Sequence, residues 1–284
     1  MKKSILVLCG FFLPGIVYLV TWRIIPLLYT MGISMTSWNL IRDRQPGFSG
    51  VENYLMLWSD PEFHHSLWLS LLFTVIATAI ELGIGLALVV GVNGNRRKDL
   101  LQTVFLMPMI ITPVVVGTIW YLIYHPVLGP IADLLKRLGF GTVDPLGTRE
   151  TALSSILLGD IWQWTPFVFL ILLAGLQMIP RELYEACRVD GTNDWELFRF
   201  ITLPQLKGSI VTAVILRSMD AFREFDKVMI MTGGGPDNST EMSSLLIYKR
   251  AFQFFDIGYA AAMVIIVLAI LSFAYVVYLR SENG

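Results

Sequence analysis

Long apolar runs, each close to the length that crosses a bilayer, dominate this chain. They leave no polar stretch large enough to fold as a soluble domain. A spanning helix needs about 20 mostly apolar residues. Lipid offers the backbone no hydrogen-bond partners, so such runs must be helical or close into a barrel. Six blocks meet the requirement, at residues 8–34, 67–92, 101–124, 152–176, 208–231 and 257–279. The expected fold is therefore all-α, a polytopic membrane protein with six transmembrane helices in a single domain over residues 1–284. Charged residues make up 15% of the chain, against about 25% in soluble domains. The longest polar interval, about residues 36–65, reads as a loop with a short helix.

Several classes of function are excluded at this stage. The net charge of −1 leaves no basic footprint for nucleic acid. Cys9 and Cys187 lie far apart, and His64, His65 and His125 lack ligand spacing, so neither a structural disulfide nor a metal cluster is expected. Met1-Lys2-Lys3 followed by an apolar run has the outline of a signal peptide. No small-x-small cleavage site follows, so the first block reads as an uncleaved span. The run Gly233-Gly234-Gly235 lacks the Lys-Ser/Thr and the preceding strand of a phosphate-binding loop. With no nucleophile–base arrangement either, the chain is expected to be no enzyme and to hold no cofactor of its own.

Orientation follows from the loop cations. One side collects Lys2, Lys3, Arg96, Arg97, Lys98, Arg181, Arg188, Arg199, Lys207 and Arg280. The other collects Arg42, Arg44, Lys136, Arg137, Arg149, Lys249 and Arg250. Ten against seven places both termini in the cytoplasm, in a bacterial inner membrane. Trp38, Trp58, Trp68, Trp120, Tyr121 and Tyr124 then gather toward the outer interface, where an apolar ring with a polar tip is favoured.

The most informative loop is residues 180–204, between the fourth and fifth blocks. Pro180 suits a helix start and Gly191 a C′ position with positive φ. Thr192, Asn193 or Asp194 is placed to cap a second helix. Trp195, Phe198 and Ile201 recur every three residues and predict one apolar face, with Pro204 ending the helix. From chemistry alone this hairpin is either an interfacial connector or a docking element. In the second reading the small Ala186 and Cys187 let a partner approach, and Glu182, Glu185, Arg188 and Asp190 form its rim.

The run Glu185-Ala186-Cys187-x-x-Asp190-Gly191, followed by Phe198, Ile201, Leu203 and Pro204, resembles the EAA loop of permease subunits in binding-protein-dependent, type I ABC importers. Cys187 stands where that family usually has alanine. Met231-Thr232-Gly233-Gly234-Gly235-Pro236, with Ala251-Phe252 and Phe255-Asp256-x-Gly258-Tyr259-Ala260, is similar to the carbohydrate branch, of the maltose and glycerol-phosphate type. Pro14, Ile25-Pro26, Ser34, Trp38-Asn39-Leu40, Glu52-Asn53-Tyr54 and Asp60-Pro61 fit the same pattern, so the likeness covers nearly the whole chain.

The resemblance implies a permease subunit that pairs with a homologous second permease and two cytoplasmic ABC ATPases. These bind ATP and Mg and grip the loop at Glu185, Ala186, Cys187, Asp190, Gly191, Leu203 and Pro204. An extracytoplasmic solute-binding protein delivers a sugar-like solute to loops around residues 127–150 and 236–255. It further implies solute contacts at Asp160, Trp164, Phe167, Arg217 and Ala221.

The fifth block carries Arg217, Asp220, Arg223, Glu224, Asp226 and Lys227. An ionised side chain at the bilayer centre costs roughly 2.5–3.5 kcal/mol on insertion scales, so this helix must face protein or water. Spacing of i,i+3 pairs Arg217 with Asp220, Asp220 with Arg223, Arg223 with Asp226 and Glu224 with Lys227. Either these pairs neutralise one another at a subunit interface, or Asp220, Glu224 and Arg217 line a polar path for solute hydroxyls. Glu81 and Arg23 read as buried charges with structural partners. Two other functions stay open on these residues: a stand-alone secondary transporter working through buried carboxylates, and a non-transporting membrane scaffold.

Overall fold

The computed structural model describes residues 12–93, 98–139, 144–189 and 191–282. Asp190, the cations Lys2, Lys3, Arg96 and Arg97, and the first four residues of the first apolar block lie outside the described residues. Along the chain run α1 (Phe12–Ile33), α2 (Glu52–Trp58), α3 (Pro61–Asn93), α4 (Lys98–Ile110), α5 (Pro113–Tyr124), α6 (Pro130–Arg137) and α7 (Arg149–Gln177). The hairpin helices α8 (Arg181–Val189) and α9 (Asp194–Gln205) follow. Then come α10 (Lys207–Ala221), α11 (Asp226–Met231), α12 (Ser243–Tyr248) and α13 (Ile257–Glu282). Two isolated β-bridges are the only strand-like pairings among the described residues.

Prolines shape the spans more sharply than the apolar pattern predicts. Pro26 lacks an amide proton and its ring clashes with the carbonyl four residues back. The helix widens into a π turn over Val20–Ile24, where the Ile25 amide reaches the Val20 carbonyl. The same device precedes Pro204, with a π turn over Phe198–Thr202. The third apolar block does not stay continuous. Thr112 precedes Pro113 and is held extended (φ −64°, ψ 144°), and α4 and α5 meet at 98°. The fifth block is also broken. Its helix stops at Ala221 after 15 residues, about 22 Å at 1.5 Å per residue, and a turn at 222–225 leads into α11.

Contacts resolve the chain into two compact units, residues 1–64 with 246–284 and residues 65–245. In the first, α1, α2 and α13 are joined through loop motifs far apart in sequence. Asn53 Nδ2 donates to the carbonyls of Ser34 (2.9 Å) and Thr36 (2.8 Å), and the hydroxyls of Ser34 and Tyr54 share a bond of 2.6 Å. The Leu40 amide donates to the Phe255 carbonyl (3.0 Å) and the Gly258 amide to the Trp38 carbonyl (3.1 Å). A Cβ at Gly258 would lie 2.0 Å from the Thr36 carbonyl oxygen, so only glycine permits this approach. Tyr259 Oη donates to Asp60, and Arg250 pairs with Glu62 at 2.7 Å. Arg23, expected to be buried, is exposed on α1, because the rest of the chain covers little of that helix.

In the second unit α3, α7 and α10 pack around Val89, Val168, Phe169, Leu172, Leu173, Leu176 and Ala213, with Leu206 sealing the end toward the hairpin. Small residues bring the backbones close. A Cβ at Gly85 would sit 3.1 Å from Val168 Cγ1, and Gly159 lies beneath the Trp120 ring. α11 packs against α5, where a Cβ at Gly117 would meet Lys227 Cα at 3.3 Å. The glycine turn forms as expected. Gly233 and Gly234 adopt φ of 60° and 96°, and the hydroxyls of Thr232 and Thr240 close it at 2.8 Å.

Candidate functional site

Two regions of the second unit carry the candidate residues. The first is the hairpin. Gly191 ends α8 with φ +78°, and Asn193 caps α9 in a reciprocal box: its Oδ1 accepts from the Glu196 amide, while Glu196 Oε2 accepts from the Asn193 amide, both at 3.0 Å. The expected apolar face is corrected. Leu197, Thr202 and Leu206 are buried, whereas Trp195 remains 66% exposed. The π turn at Phe198–Thr202 adds a residue to that turn, and Phe198 and Ile201 are only half-buried. Pro204 does not end the helix either: α9 closes one residue later and bends 64° into α10. Tyr184 anchors α8 to α9 through a 3.0 Å bond between its hydroxyl and that of Thr202. Glu182, Glu185, Ala186, Gly191 and Pro204 are exposed, and Cys187 and Leu203 are half-buried.

The second region is a cluster of ionised side chains drawn from four helices. Arg217, near the end of α10, forks onto Glu81 of α3, with Nε to Oε2 at 2.6 Å and Nη2 to Oε1 at 3.1 Å. The same Nη2 donates to Asp160 of α7. Lys227, in the first turn of α11, reaches Asp160 Oδ1 at 3.1 Å and Glu224 Oε2 at 2.8 Å. It also donates to Gln163 Oε1 at 3.0 Å. Gln163 in turn donates to the Ile111 carbonyl at 2.9 Å, at the break between α4 and α5. Both broken spans therefore end on this one network. Glu81, Asp160, Gln163, Arg217 and Lys227 have no exposed surface. Bidentate, charge-assisted contacts of this kind offset the cost of burying the ions.

The pairing thus runs between helices more than along one. Of the four i,i+3 pairs, Glu224–Lys227 forms and Arg217–Asp220 is loose at 3.6 Å, with half of the Asp220 side chain exposed. No ion pair joins Arg223 to Asp220 or Asp226 among the described residues. The helix ends at Ala221, so the i,i+3 geometry is lost there, and Arg223 donates instead to the Met219 carbonyl. Beside the cluster opens a cavity of about 340 Å³ lined by Trp164, Phe167, Leu216, Arg217, Met219, Asp220 and Arg223. Four of the seven residues proposed from sequence for the solute path meet at this wall. Asp160 and Glu224 lie behind it in the ionic network, and Ala221 is fully buried. Sequence reasoning paired Lys227 with Glu224, as observed, but missed its contacts with Asp160 and Gln163. The available signal was that every charge in an apolar block needs a counter-charge from some other block. A second cavity, of about 420 Å³, brings the loop after α5 and the glycine turn together, through Tyr121, His125, Asp144, Thr232 and Pro236 among others.

Apolar helices of membrane-crossing length around a neutralised polar interior define a multi-pass integral membrane protein. Residues 83–283 match the model of the family described as binding-protein-dependent transport system inner membrane component. The chain is 35% identical, over 94% of its length and 90% of the relative, to the trehalose/maltose transport system permease protein MalF of Thermococcus litoralis. It is also 35% identical, over 92% of its length and 84% of the relative, to the sulfoquinovosyl glycerol transport system permease protein SmoG of Agrobacterium fabrum. A crystal structure of a bacterial ABC transporter involved in the import of the acidic polysaccharide alginate contains a chain of the same fold. That match has a TM-score of 0.81 over 98% of this chain and 96% of that one, at 22% identity. The chain belongs to the binding-protein-dependent transport system inner membrane component family, and is a permease subunit of such an importer.

Proposed function

We propose that this chain forms half of the path by which a sugar or related polyol enters a bacterial cell. It pairs with a homologous permease, two cytoplasmic ATPases drive it, and an extracytoplasmic binding protein loads it. The observation that carries this reading is the exposed face of α8. Glu182, Glu185 and Ala186 turn outward, while Tyr184 and the capped α9 tie the helix back to the bundle core. A helix exposed on one face and braced on the other transmits a push, which a free interfacial connector does not. Glu185, Ala186, Cys187, Asp190, Gly191, Leu203 and Pro204 form the handle that the ATPase grips. ATP and Mg reside in the ATPases, and no bond of the solute is broken by this chain.

The larger number of loop cations on one side supports a cytoplasmic position for both termini and the hairpin. The loops at 127–150 and 236–255 then face the binding protein, and parts of both border the larger cavity. The names of relatives that handle trehalose, maltose and sulfoquinovosyl glycerol support a saccharide cargo. So does the meeting of Trp164, Phe167, Arg217 and Asp220 at one cavity wall. ATP binding draws the two hairpins together and rocks the spans from inward-open to outward-open, and hydrolysis resets them.

The test is reconstitution of the chain with its second permease, ATPase and binding protein in liposomes, measuring uptake of labelled trehalose and maltose. Uptake that needs both ATP and the binding protein is expected. Uptake by the purified chain alone would overturn this reading in favour of a stand-alone carrier.

A further inference from the structure

In the first unit, the short helix α2 turns an apolar stripe away from the helices it packs on. Its inner side is set by Asn53 and Leu57, both buried. Val51, at the N-cap, and Leu55 and Trp58 are 60%, 68% and 84% exposed. Their i, i+4, i+7 spacing aligns them on one face of the helix. The preceding loop adds Phe48 and Ile41, which are also exposed. The Phe48 ring lies beside Gly50, where an added Cβ would stand 3.9 Å from it. Contiguous apolar surface of this kind marks an interaction site.

What covers the stripe follows from where the segment is tied. At the start of α2, Asn53 bonds the carbonyls of Ser34 and Thr36, just past the end of α1. Two residues beyond its end, Asp60 Oδ1 accepts from the amides of Glu62 (2.9 Å) and Phe63 (3.3 Å) and opens α3. The loop before α2 is closed at its neck, where the Ser37 amide donates to the Gly47 carbonyl and the Ser49 amide to the Met35 carbonyl, both at 2.9 Å. The Leu40 amide ties the same loop to Phe255, just before α13. The seven residues of α2 extend only about 10 Å. The stripe is therefore level with the ends of three helices of membrane-spanning length, at the depth where hydrocarbon gives way to headgroups. Aromatic side chains favour that depth. Arg42 and Arg44, exposed in the same loop, carry guanidinium groups that match phosphate.

The geometry points to α2 and its loop as an interfacial foot, with the stripe of Val51, Leu55 and Trp58 resting on the phospholipid surface and Arg42 and Arg44 meeting lipid phosphates. A short helix with its apolar face in the headgroup boundary is held by that burial. The foot thereby fixes the depth at which α1, α3 and α13 leave the bilayer. It rests on the membrane-spanning class of the chain and on no assumption about the solute.

The experiment places the assembled importer in nanodiscs whose lipids carry bromine either near the headgroup end of the acyl chain or near its terminal methyl. Bromine quenches tryptophan on contact, and the difference between wild type and Trp58→Phe isolates Trp58. That difference is expected to be quenched about twofold more by the shallow bromines, because an interfacial face enters only about 5–10 Å. In the Trp58→Phe background, Leu55→Trp is expected to regain the shallow quenching, and Glu52→Trp, on another side of the helix, to regain much less. Stronger quenching of Trp58 by the deep bromines overturns the proposal. So does no quenching by either lipid, whether a partner subunit or the binding protein covers Trp58 or water-soluble acrylamide reaches it. Equal quenching at positions 52 and 55 overturns it as well, since the face would then have no meaning.

Discussion

The hairpin of α8 and α9 and the ionic cluster of α3, α7, α10 and α11 handle charge in opposite ways. The hairpin turns Glu182 and Glu185 outward and satisfies its own backbone locally, through the Asn193–Glu196 box. The cluster turns Glu81, Asp160, Arg217 and Lys227 wholly inward and satisfies each from a different helix. One region satisfies its backbone locally and is functional through the face it leaves exposed. The other depends on every member being present. Substitutions should therefore separate the two: stability fails first in the cluster, and function fails first in the hairpin.

The largest stability effect is expected at Arg217. Arg217→Met leaves Glu81 without a partner in a dry interior, a loss of about 3–5 kcal/mol for breaking a buried pair from one side. Thermal melts of the purified, detergent-solubilised permease should show a lowered midpoint. Adding Glu81→Leu should restore part of the loss, because Asp160 keeps Lys227 at 3.1 Å. A double variant no better than the single one would show that the contacts around Arg217, and not its charge, hold the helices.

Glu185→Lys is expected to do the reverse. Exposed on α8, it should move the melting midpoint by no more than an ordinary surface change, within about 0.5 kcal/mol, yet reduce ATP-driven uptake to background in the reconstituted importer. Wild-type uptake in that variant would remove the docking role. Asn193→Ala probes the most local effect. Loss of the cap should cost about 1 kcal/mol and be felt within the hairpin, seen as faster amide exchange over residues 194–197 with the exchange of α7 unchanged. Loosening of α7 as well would mean that the hairpin and the bundle core are one cooperative unit.

The same contrast explains what was legible beforehand. The hairpin's helices, its glycine stop and its cap depend on neighbours a few residues away, so they could be read in order. Its inner face was misread because the π turn before Pro204 is a steric response that apolar periodicity does not record. The closer partners of Arg217 were missed for a different reason. Asp220 is near in sequence but half in solvent, whereas Glu81 and Asp160 are distant in sequence and adjacent in space. The loop motifs of the first unit show the same thing. Trp38, Asn53 and Asp60 were visible as motif residues, but their meeting with Phe255, Gly258 and Tyr259 was not.

By itself, then, the sequence determined the class. Apolar blocks of bilayer length force helices, because lipid leaves the backbone no other partner, and the local chemistry of residues 180–204 forces an exposed hairpin between two of them. The tertiary structure alone decided where the spans break and which buried charges meet. The sharpest break follows from the extended backbone that Pro113 imposes on Thr112, and the pairing from the low dielectric of the interior, where an ion accepts whichever counter-charge packing brings within reach, regardless of its distance along the chain.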